Sequence, residues 1–275
     1  GYAPALELDG PPVTSIADTR TEQLGELLEA AVDNSGADVV IAHQYYATHF
    51  VDRIAGEGRP PLVQLVYNGQ RLPEAAAAFY ISEHIADQQR HRGPSDRVLR
   101  PTVYPDDVVP AEANRTAVGF VKPLPHKGPQ LVYAVARAMP SQRFLVLRGE
   151  WQPLEDLAGA PTNVEFMDPV VDVREVWSQV VVALMPSTSE DAGTVPLEAT
   201  ANRVPCISSN VGGLVETNRG GIRLSPSNVD AWVEHLTALL SDPEEYRAAV
   251  RRQVELQLPD GLDAALDVIE QVAAR

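Results

Sequence analysis

The sequence is short of several features, and each shortage excludes a class of protein. Only one of its 275 residues is cysteine, Cys206, which excludes an internal disulfide framework and favours a reducing compartment. Its apolar neighbours predict a buried structural thiol. No run of 18 apolar residues occurs, so no membrane-spanning helix is expected. The chain starts at Gly1 without a leader-like segment, and a cytoplasmic location is therefore expected.

Lysine is nearly absent, and its placement predicts an anion site. The chain has 22 basic residues, of which only Lys122 and Lys127 are lysines, both in the segment 122–128. A compact ammonium can approach a phosphate as a point charge where the guanidinium fork of arginine does not fit. This loop is therefore a candidate phosphate-binding loop. The alternative, a solvated loop with two chance lysines, stays open at this point.

The net charge limits the classes of binding partner that are expected. The formal charge is −16, and an acidic chain repels nucleic acid and anionic lipid, so neither is an expected partner. The apolar share of 44% and the charged share of 22% are ordinary for a globular protein. A chain of this length can form two domains, or one large one.

Strand and helix patterns alternate along both halves of the chain. Such alternation predicts βαβ units and mostly parallel sheets, the α/β class. A polar, proline-punctuated segment at 106–114 places a domain boundary after residue 113. We expect a first domain at 1–113, a second at 114–260 and a final helix at 261–275.

In parallel sheets, ligands bind beyond the carboxyl ends of the strands. The segments that follow predicted strands are therefore the ones where a site is expected. They are 43–44, 67–69, 122–128, Gly149, 166–168, 187–193 and 210–216.

Residues 185–216 contain the strongest candidate site. Gly193 and Thr194 precede a helix whose first turn contains Pro196. Free N–H groups and the helix dipole at such a position suit an anion. Glu198 lies about one turn further on, where a carboxylate can accept from two neighbouring hydroxyls, and Glu190 precedes the turn. Both glutamates also fit a plain preference for a helix N-terminus, which remains an alternative.

Several segments, in this order, resemble the donor-binding domain of retaining GT-B glycosyltransferases of glycosyltransferase family 4. They are AVGFVKPLPHKG, RFLVLRG, NVEFMDPV, MPSTSEDAGTVPLEATANRVPCISSNVGG and LVET, within 116–224. The fourth segment contains the E-x7-E element of the family, here Glu190 and Glu198. The resemblance continues more faintly through VVIAHQ, LVQLVYN and FYISEHIA. It implies two Rossmann-like domains with parallel sheets facing across a cleft, the first apparently shortened and binding acceptor, the second binding donor.

The resemblance also implies roles for single residues. Lys127, with Lys122, would contact the diphosphate, Glu198 the ribose and Glu190 the donor sugar. Amides near Gly193 and Thr194 would bind phosphate or sugar oxygens, and the backbone at Phe166 and Met167 would meet the base. The family has a histidine in its first domain at the end of the strand before Asn68. Here Tyr67 stands there and His43 is the candidate for that role, or a structural hydrogen-bonding residue.

The resemblance predicts a metal-independent, retaining glycosyltransferase without a cofactor. Its partners would be a nucleotide-diphosphate sugar as co-substrate and a small-molecule or glycan acceptor. The final helix would cross back to the first domain. The arginine-rich composition suggests a GC-rich genome, such as that of an actinomycete, where the acceptor could be a natural product. The alternatives are a sugar-nucleotide epimerase or phosphorylase, a non-catalytic sugar-nucleotide or protein-binding subunit, and a two-lobed solute-binding protein. The oligomeric state does not follow from the sequence.

Overall fold

A computed structural model describes residues 21–149 and 159–274, and these fold into two compact units. The first unit comprises the described residues up to Arg100 and those from Asp260 onward, and the second comprises Pro101–Pro259. The boundary predicted after residue 113 is therefore too late. Val108 is buried in the core of the second unit, and its carbonyl accepts from Asn202 Nδ2 at 3.2 Å, which joins the segment before residue 113 to that unit.

The first unit contains a parallel sheet of four described strands in the order β1-β2-β3-β4. Its elements, in chain order, are α1 (Thr21–Ser35), β1 (Val40–His43), α2 (Gln44–Ile54), β2 (Leu62–Val66), β3 (Ala77–Tyr80), α3 (Glu83–Asp87), β4 (Arg97–Val98) and the last helix, α11 (Leu262–Ala273).

Helices cover both faces of this sheet, which explains why β2 and β3 are buried at nearly every position. On β3, Ala77 and Phe79 pack with Val268 of α11, whereas Tyr80 on the opposite face packs with Ile85 of α3. The helix α11 thus belongs to the core of the first unit although it is last in the chain.

The helix α2 begins where the sequence predicts a polar loop. His43 is its N-cap, and Nδ1 of that ring accepts from Tyr45 N at 3.2 Å. Ala47, Phe50 and Ile54 are buried at near-helical spacing, so the helix forms by packing one apolar face against the sheet.

The second unit contains a parallel sheet of six described strands in the order β10-β9-β8-β5-β6-β7. Its elements are α4 (Pro105–Val108), β5 (Ala117–Val121), the 3₁₀ turn η1 (Pro125–Lys127), α5 (Pro129–Ala138), β6 (Phe144–Leu147), β7 (Val164–Met167), α6 (Arg174–Trp177), β8 (Val180–Met185), α7 (Val195–Ala201), β9 (Cys206–Ser209), α8 (Leu214–Thr217), β10 (Ile222–Leu224), α9 (Val229–Ser241) and α10 (Pro243–Glu255).

The strand order reverses direction between β5 and β8. From β5 the chain adds β6 and β7 on one side and then returns to add β8, β9 and β10 on the other. Such a switch point leaves a crevice at the carboxyl ends of the two central strands, where α/β proteins bind ligands. A ligand site is therefore expected in the segments that follow β5 and β8.

The single cysteine has the structural role that its neighbours predict. Cys206 is the first residue of β9 and is buried in the core of the second unit, and its amide donates to Gln253 Oε1 at 2.7 Å. Burial raises the pKa of the thiol, so a reactive thiolate is not formed near neutral pH.

Candidate functional site

The segments after β5 and β8 are bonded to each other at the switch point. The backbone N–H and the hydroxyl of Thr188 both donate to the carbonyl of His126, at 2.8 and 3.2 Å. Gly128 lies so close to the β8 segment that an added Cβ would be 2.3 Å from the carbonyl oxygen of Pro186, and its φ of 77° also favours glycine. The two segments thus form one continuous surface.

Lys127 and Glu190 meet on this surface. The ammonium of Lys127 forms an ion pair with Oε2 of Glu190, and the hydroxyl of Ser187 donates to the same oxygen at 3.2 Å. The side chains of Lys127 and Glu190 are 18% and 13% exposed, so solvent screens this pair less than a surface pair. The structure therefore brings together two residues that the sequence places 63 positions apart.

Three glycines support the backbone at Glu190. The N–H of Gly213 donates to the carbonyl of Glu190 at 2.9 Å. A Cβ on Gly212 would lie 2.0 Å from that oxygen, and one on Gly193 would lie 3.2 Å from Cγ of Glu190. Because Gly193 and Gly212 also have φ values of 82° and 50°, each position strongly favours glycine. The glycine pair at 212–213 thus holds Glu190 in place.

Thr194 and Glu198 lie on the far side of Gly193. Thr194 is the N-cap of α7, and its carbonyl accepts from the N–H of Glu198 at 3.0 Å. The carboxylate of Glu198 points to α6, where its Oε2 accepts from Trp177 Nε1 at 3.0 Å. Glu198 thus has a fixed orientation, and the contact that fixes it is with Trp177 rather than with Lys127 or Glu190.

The other lysine and the predicted base-binding residues are separate from the ion pair. Lys122 is exposed at the end of β5 with a φ of 53°, and the lysine placed against Glu190 is Lys127. Phe166 is 37% exposed and Met167 is partly buried, both on β7. The strand β6 lies between β5 and β7, so these residues are roughly 10 Å from the strand that leads to Lys127.

His43 belongs to the first unit, where it lies beside Tyr67. Their ring centroids are 4.6 Å apart at the carboxyl ends of β1 and β2. Because Nδ1 of His43 accepts from Tyr45 N, the proton of the neutral ring is on Nε2. Oε1 of Gln44 accepts from three successive amides, those of residues 67–69, at 2.9 to 3.0 Å. Gln44 therefore fixes the backbone that presents Tyr67.

The resemblance to the family does not predict two of the contacts in this site. Ser187, which donates to Glu190, comes three residues before it, and this local spacing is the one signal in the sequence. Trp177 reaches Glu198 across 21 residues, and nothing in the sequence pattern pairs them.

The part of the chain that contains this site resembles known proteins. Residues 115–242 match the family model of group 1 glycosyltransferases. They contain both segments of the switch-point site, and the fold of the chain is that of the GT-B glycosyltransferases.

Two curated relatives are D-inositol 3-phosphate glycosyltransferases. The one from Segniliparus rotundus is 28% identical over 270 residues, which is 84% of this chain and 59% of the relative. The one from Mycobacterium marinum is 30% identical over 232 residues, 72% of this chain and 49% of the relative. The chain therefore spans about half the length of these relatives.

Two solved structures resemble most of the chain. A glycosyltransferase from Rickettsia africae superposes with a TM-score of 0.72 at 12% identity, and the match covers 94% of this chain and 84% of that one. Anabaena HepE, solved in complex with UDP-glucose, superposes with a TM-score of 0.72 at 15% identity and the same coverage.

Two further features are absent from the residues that the structure describes. None of the helices there is long and apolar enough to cross a membrane. Over the same residues, no group of three or more His, Cys, Asp or Glu side chains is placed to hold a metal ion.

Proposed function

We propose that this chain is a glycosyltransferase that moves a sugar from a nucleotide-diphosphate sugar to an acceptor hydroxyl, with retention at the anomeric carbon and without a metal ion. The observation that carries the proposal is the pairing of Lys127 with Glu190 at the switch point of the glycosyltransferase domain. The diphosphate would contact Lys127, and the donor sugar would contact Glu190.

Transfer requires that the negative charge on the departing diphosphate be stabilised. A fixed ammonium and oriented backbone amides can do this in a partly dry site, because they need no reorganisation as the charge develops. Lys127 and the amides near Gly193 and Thr194 are the groups proposed for this task. In this proposal a lysine takes the part that a divalent cation plays in other transferases.

The rest of the donor would extend along the carboxyl ends of the strands. Glu198, held by Trp177, would accept from the ribose hydroxyls, and the base would lie near Phe166 and Met167 on β7. The distance of roughly 10 Å between β5 and β7 supports an extended nucleotide. The proposal includes a cytoplasmic location, which the single cysteine supports.

The first test is hydrolysis of a nucleotide sugar in the absence of acceptor, which retaining transferases can carry out slowly. UDP-glucose is the first donor to try because Anabaena HepE is known in complex with it. GDP-, ADP- and dTDP-glucose complete the panel. We expect one donor to be cleaved, and Lys127→Gln to reduce cleavage about tenfold to a hundredfold, since one charge-assisted contact is worth roughly 1.5–3 kcal/mol and is used most in the transition state.

The control removes one positive charge elsewhere in the same unit. Arg251 is exposed on α10, and Arg251→Gln should leave cleavage unchanged. Binding of nucleoside diphosphate without turnover of any donor or acceptor would contradict the transferase proposal and support a non-catalytic binding subunit. Loss of activity on adding EDTA would contradict the metal-free reaction, and an inverted anomer in the product, read by proton NMR, would contradict retention.

A further inference from the structure

Glu198 is a partly exposed carboxylate without a cation beside it. Within the residues that the structure describes, no lysine, arginine or histidine pairs with it. Its one side-chain partner there is the indole N–H of Trp177, which donates to Oε2 at 3.0 Å. The second oxygen, Oε1, has no donor in the same part of the chain. A charge that is partly removed from water is unfavourable unless a group donates to it, so Oε1 is suited to a ligand that carries a donor.

The packing of Trp177 does not explain the charge of Glu198. Trp177 is 2% exposed, and a buried indole N–H needs an acceptor because it is a donor only. A neutral glutamine at position 198 would supply such an acceptor equally well. The carboxylate therefore has a property that the core does not require, and a contact with a ligand accounts for it.

Trp177 belongs to a closed ring of hydrogen bonds that begins and ends at Glu198. Arg115 donates from Nε to the carbonyl of Trp177 at 3.1 Å and from Nη2 to Oδ1 of Asn202 at 3.3 Å. Asn202, which is 2% exposed, donates from Nδ2 to the carbonyl of Glu198 at 3.0 Å. We name Arg115, Trp177 and Asn202 the Glu198 support. It holds both the backbone and the carboxylate of Glu198.

The Glu198 support joins three separate segments of the second unit. Arg115 lies just before β5, Trp177 ends α6, and Asn202 is the C-cap of α7. If the carboxylate of Glu198 rotated away, the indole N–H would stay unpaired in the core, which is unfavourable. A carboxylate held in one orientation loses little freedom when a ligand binds, and this increases the affinity for a ligand hydroxyl that fits it.

We propose that Trp177 is the positioning residue for Glu198, and that the Glu198 support makes the donor site selective for ribose over 2′-deoxyribose. This inference rests on the proposed transferase function, in which Glu198 accepts from the ribose hydroxyls, and adds the donor class to it, a ribonucleoside diphosphate sugar. With Oε2 bonded to the indole, Oε1 accepts from the ribose 2′-hydroxyl. A donor without that hydroxyl leaves Oε1 unpaired, so dTDP-glucose should be a poor donor in the panel above.

Calorimetric titration of the full chain with UDP and 2′-deoxy-UDP measures this selectivity, and the corresponding GDP and ADP pairs cover the other bases. The wild type should bind the ribose form of one pair roughly tenfold more tightly, since a hydroxyl bonded to a carboxylate is a charge-assisted contact. Trp177→Phe keeps an aromatic ring in the core and removes the N–H. It should reduce the preference to roughly twofold or less by weakening the binding of the ribose form alone.

Trp232→Phe is the matched control. Trp232 lies in the same unit, is 0% exposed, and donates from Nε1 to the carbonyl of Ser225 at 2.9 Å. This variant also removes one indole hydrogen bond from the core, but at a place that does not contact Glu198. It should leave the preference for ribose unchanged. Urea denaturation of both variants establishes that the titrations are made on folded protein.

Glu198→Gln provides a second test that leaves the core intact. Its amide oxygen can still accept from Trp177, so the urea midpoint should stay unchanged while the preference for ribose falls. When Trp177→Phe is added to this variant, no further loss of preference should follow, because both changes act through the same carboxylate.

Three outcomes would overturn the inference and leave the proposed function intact. They are an unchanged preference in Trp177→Phe, an equal loss in Trp232→Phe, and additive losses from Trp177→Phe and Glu198→Gln. A wild type that binds both forms of every pair equally would overturn the inference together with the ribose contact of Glu198. If no nucleoside diphosphate binds and no nucleotide sugar is cleaved, the proposed function itself fails.

Discussion

At the scale of single residues, the carboxylate of Glu190 has two competing partners in the proposed reaction, Lys127 and the donor sugar. Its carboxylate pairs with Lys127, the group proposed for the diphosphate. A diphosphate that binds Lys127 must share or displace that pairing. Glu190 would then be available to the donor sugar. The ion pair thus holds both side chains in the site without requiring that they remain bonded during turnover.

Replacement of Glu190 by glutamine should therefore separate binding from chemistry. Glu190→Gln removes the negative charge that competes for Lys127, so the affinity for nucleoside diphosphate should stay equal or rise. Turnover should fall about tenfold to a hundredfold, because a charged contact to the donor sugar is lost. Calorimetric titration and initial rates measure the two quantities. Weaker nucleotide binding with unchanged kcat would show that Glu190 holds the nucleotide instead.

Gly212 should be the most sensitive glycine of the site. Its φ is 50°, and a Cβ would lie 2.0 Å from the carbonyl of Glu190, so Gly212→Ala must move the backbone that holds Glu190. We expect a loss of about 3 kcal/mol or more in the free energy of unfolding, combining left-handed strain with a backbone clash. Donor cleavage should fall as well.

The control for this variant is a glycine that also has a positive φ but where an added Cβ would not clash with the backbone. Gly159 lies in the same unit with a φ of 82°, and an added Cβ there would have nothing within 4 Å. Gly159→Ala should cost only about 1–2 kcal/mol and leave donor cleavage intact. Urea denaturation of both variants gives the comparison, and equal losses would show that the contact with Glu190 does not matter.

At the scale of elements, the sequence predicts the features that depend on short-range patterns. It does not predict those that depend on long-range packing. Strands β5 and β8 are apolar runs followed by polar loops, so the site segments could be located from the sequence. The helix α2 is missed because Tyr45 and Tyr46 face outward between its buried residues, and the periodicity is weak. The Trp177 contact to Glu198 and the place of Val108 depend on tertiary packing, which no local pattern encodes.

The helix α11 offers a test of how the first unit is held together. Val268 is 1% exposed and packs with Val63 and Phe79, whereas Leu266 is 47% exposed. Val268→Ala should cost about 2 kcal/mol, the transfer of the lost methyl groups plus the cavity left behind. Leu266→Ala should change stability by less than about 0.5 kcal/mol. Hydrogen exchange at the amides of β2 and β3 reports the loss, and equal effects of the two variants would contradict this packing.

At the scale of the molecule, the chain builds two units with separate cores and crosses between them twice, at Arg100–Pro101 and at Pro259–Asp260. The residues proposed for the donor all belong to the second unit. The binding energy of the proposed donor is therefore expected to act mainly on the second unit.

This division predicts where a ligand stabilises the molecule. A nucleoside diphosphate at about one hundred times its Kd should add about 2.7 kcal/mol to the stability of the unit that binds it. Slowed hydrogen exchange should therefore appear in the strands β5, β8 and β9 of the second unit and be small in β1 to β3 of the first. Lys127→Gln should weaken this protection, and the exposed Arg251→Gln should not. If protection were confined to the first unit, the nucleotide would bind at the first sheet. The assignment of Lys127 to the diphosphate would then be wrong.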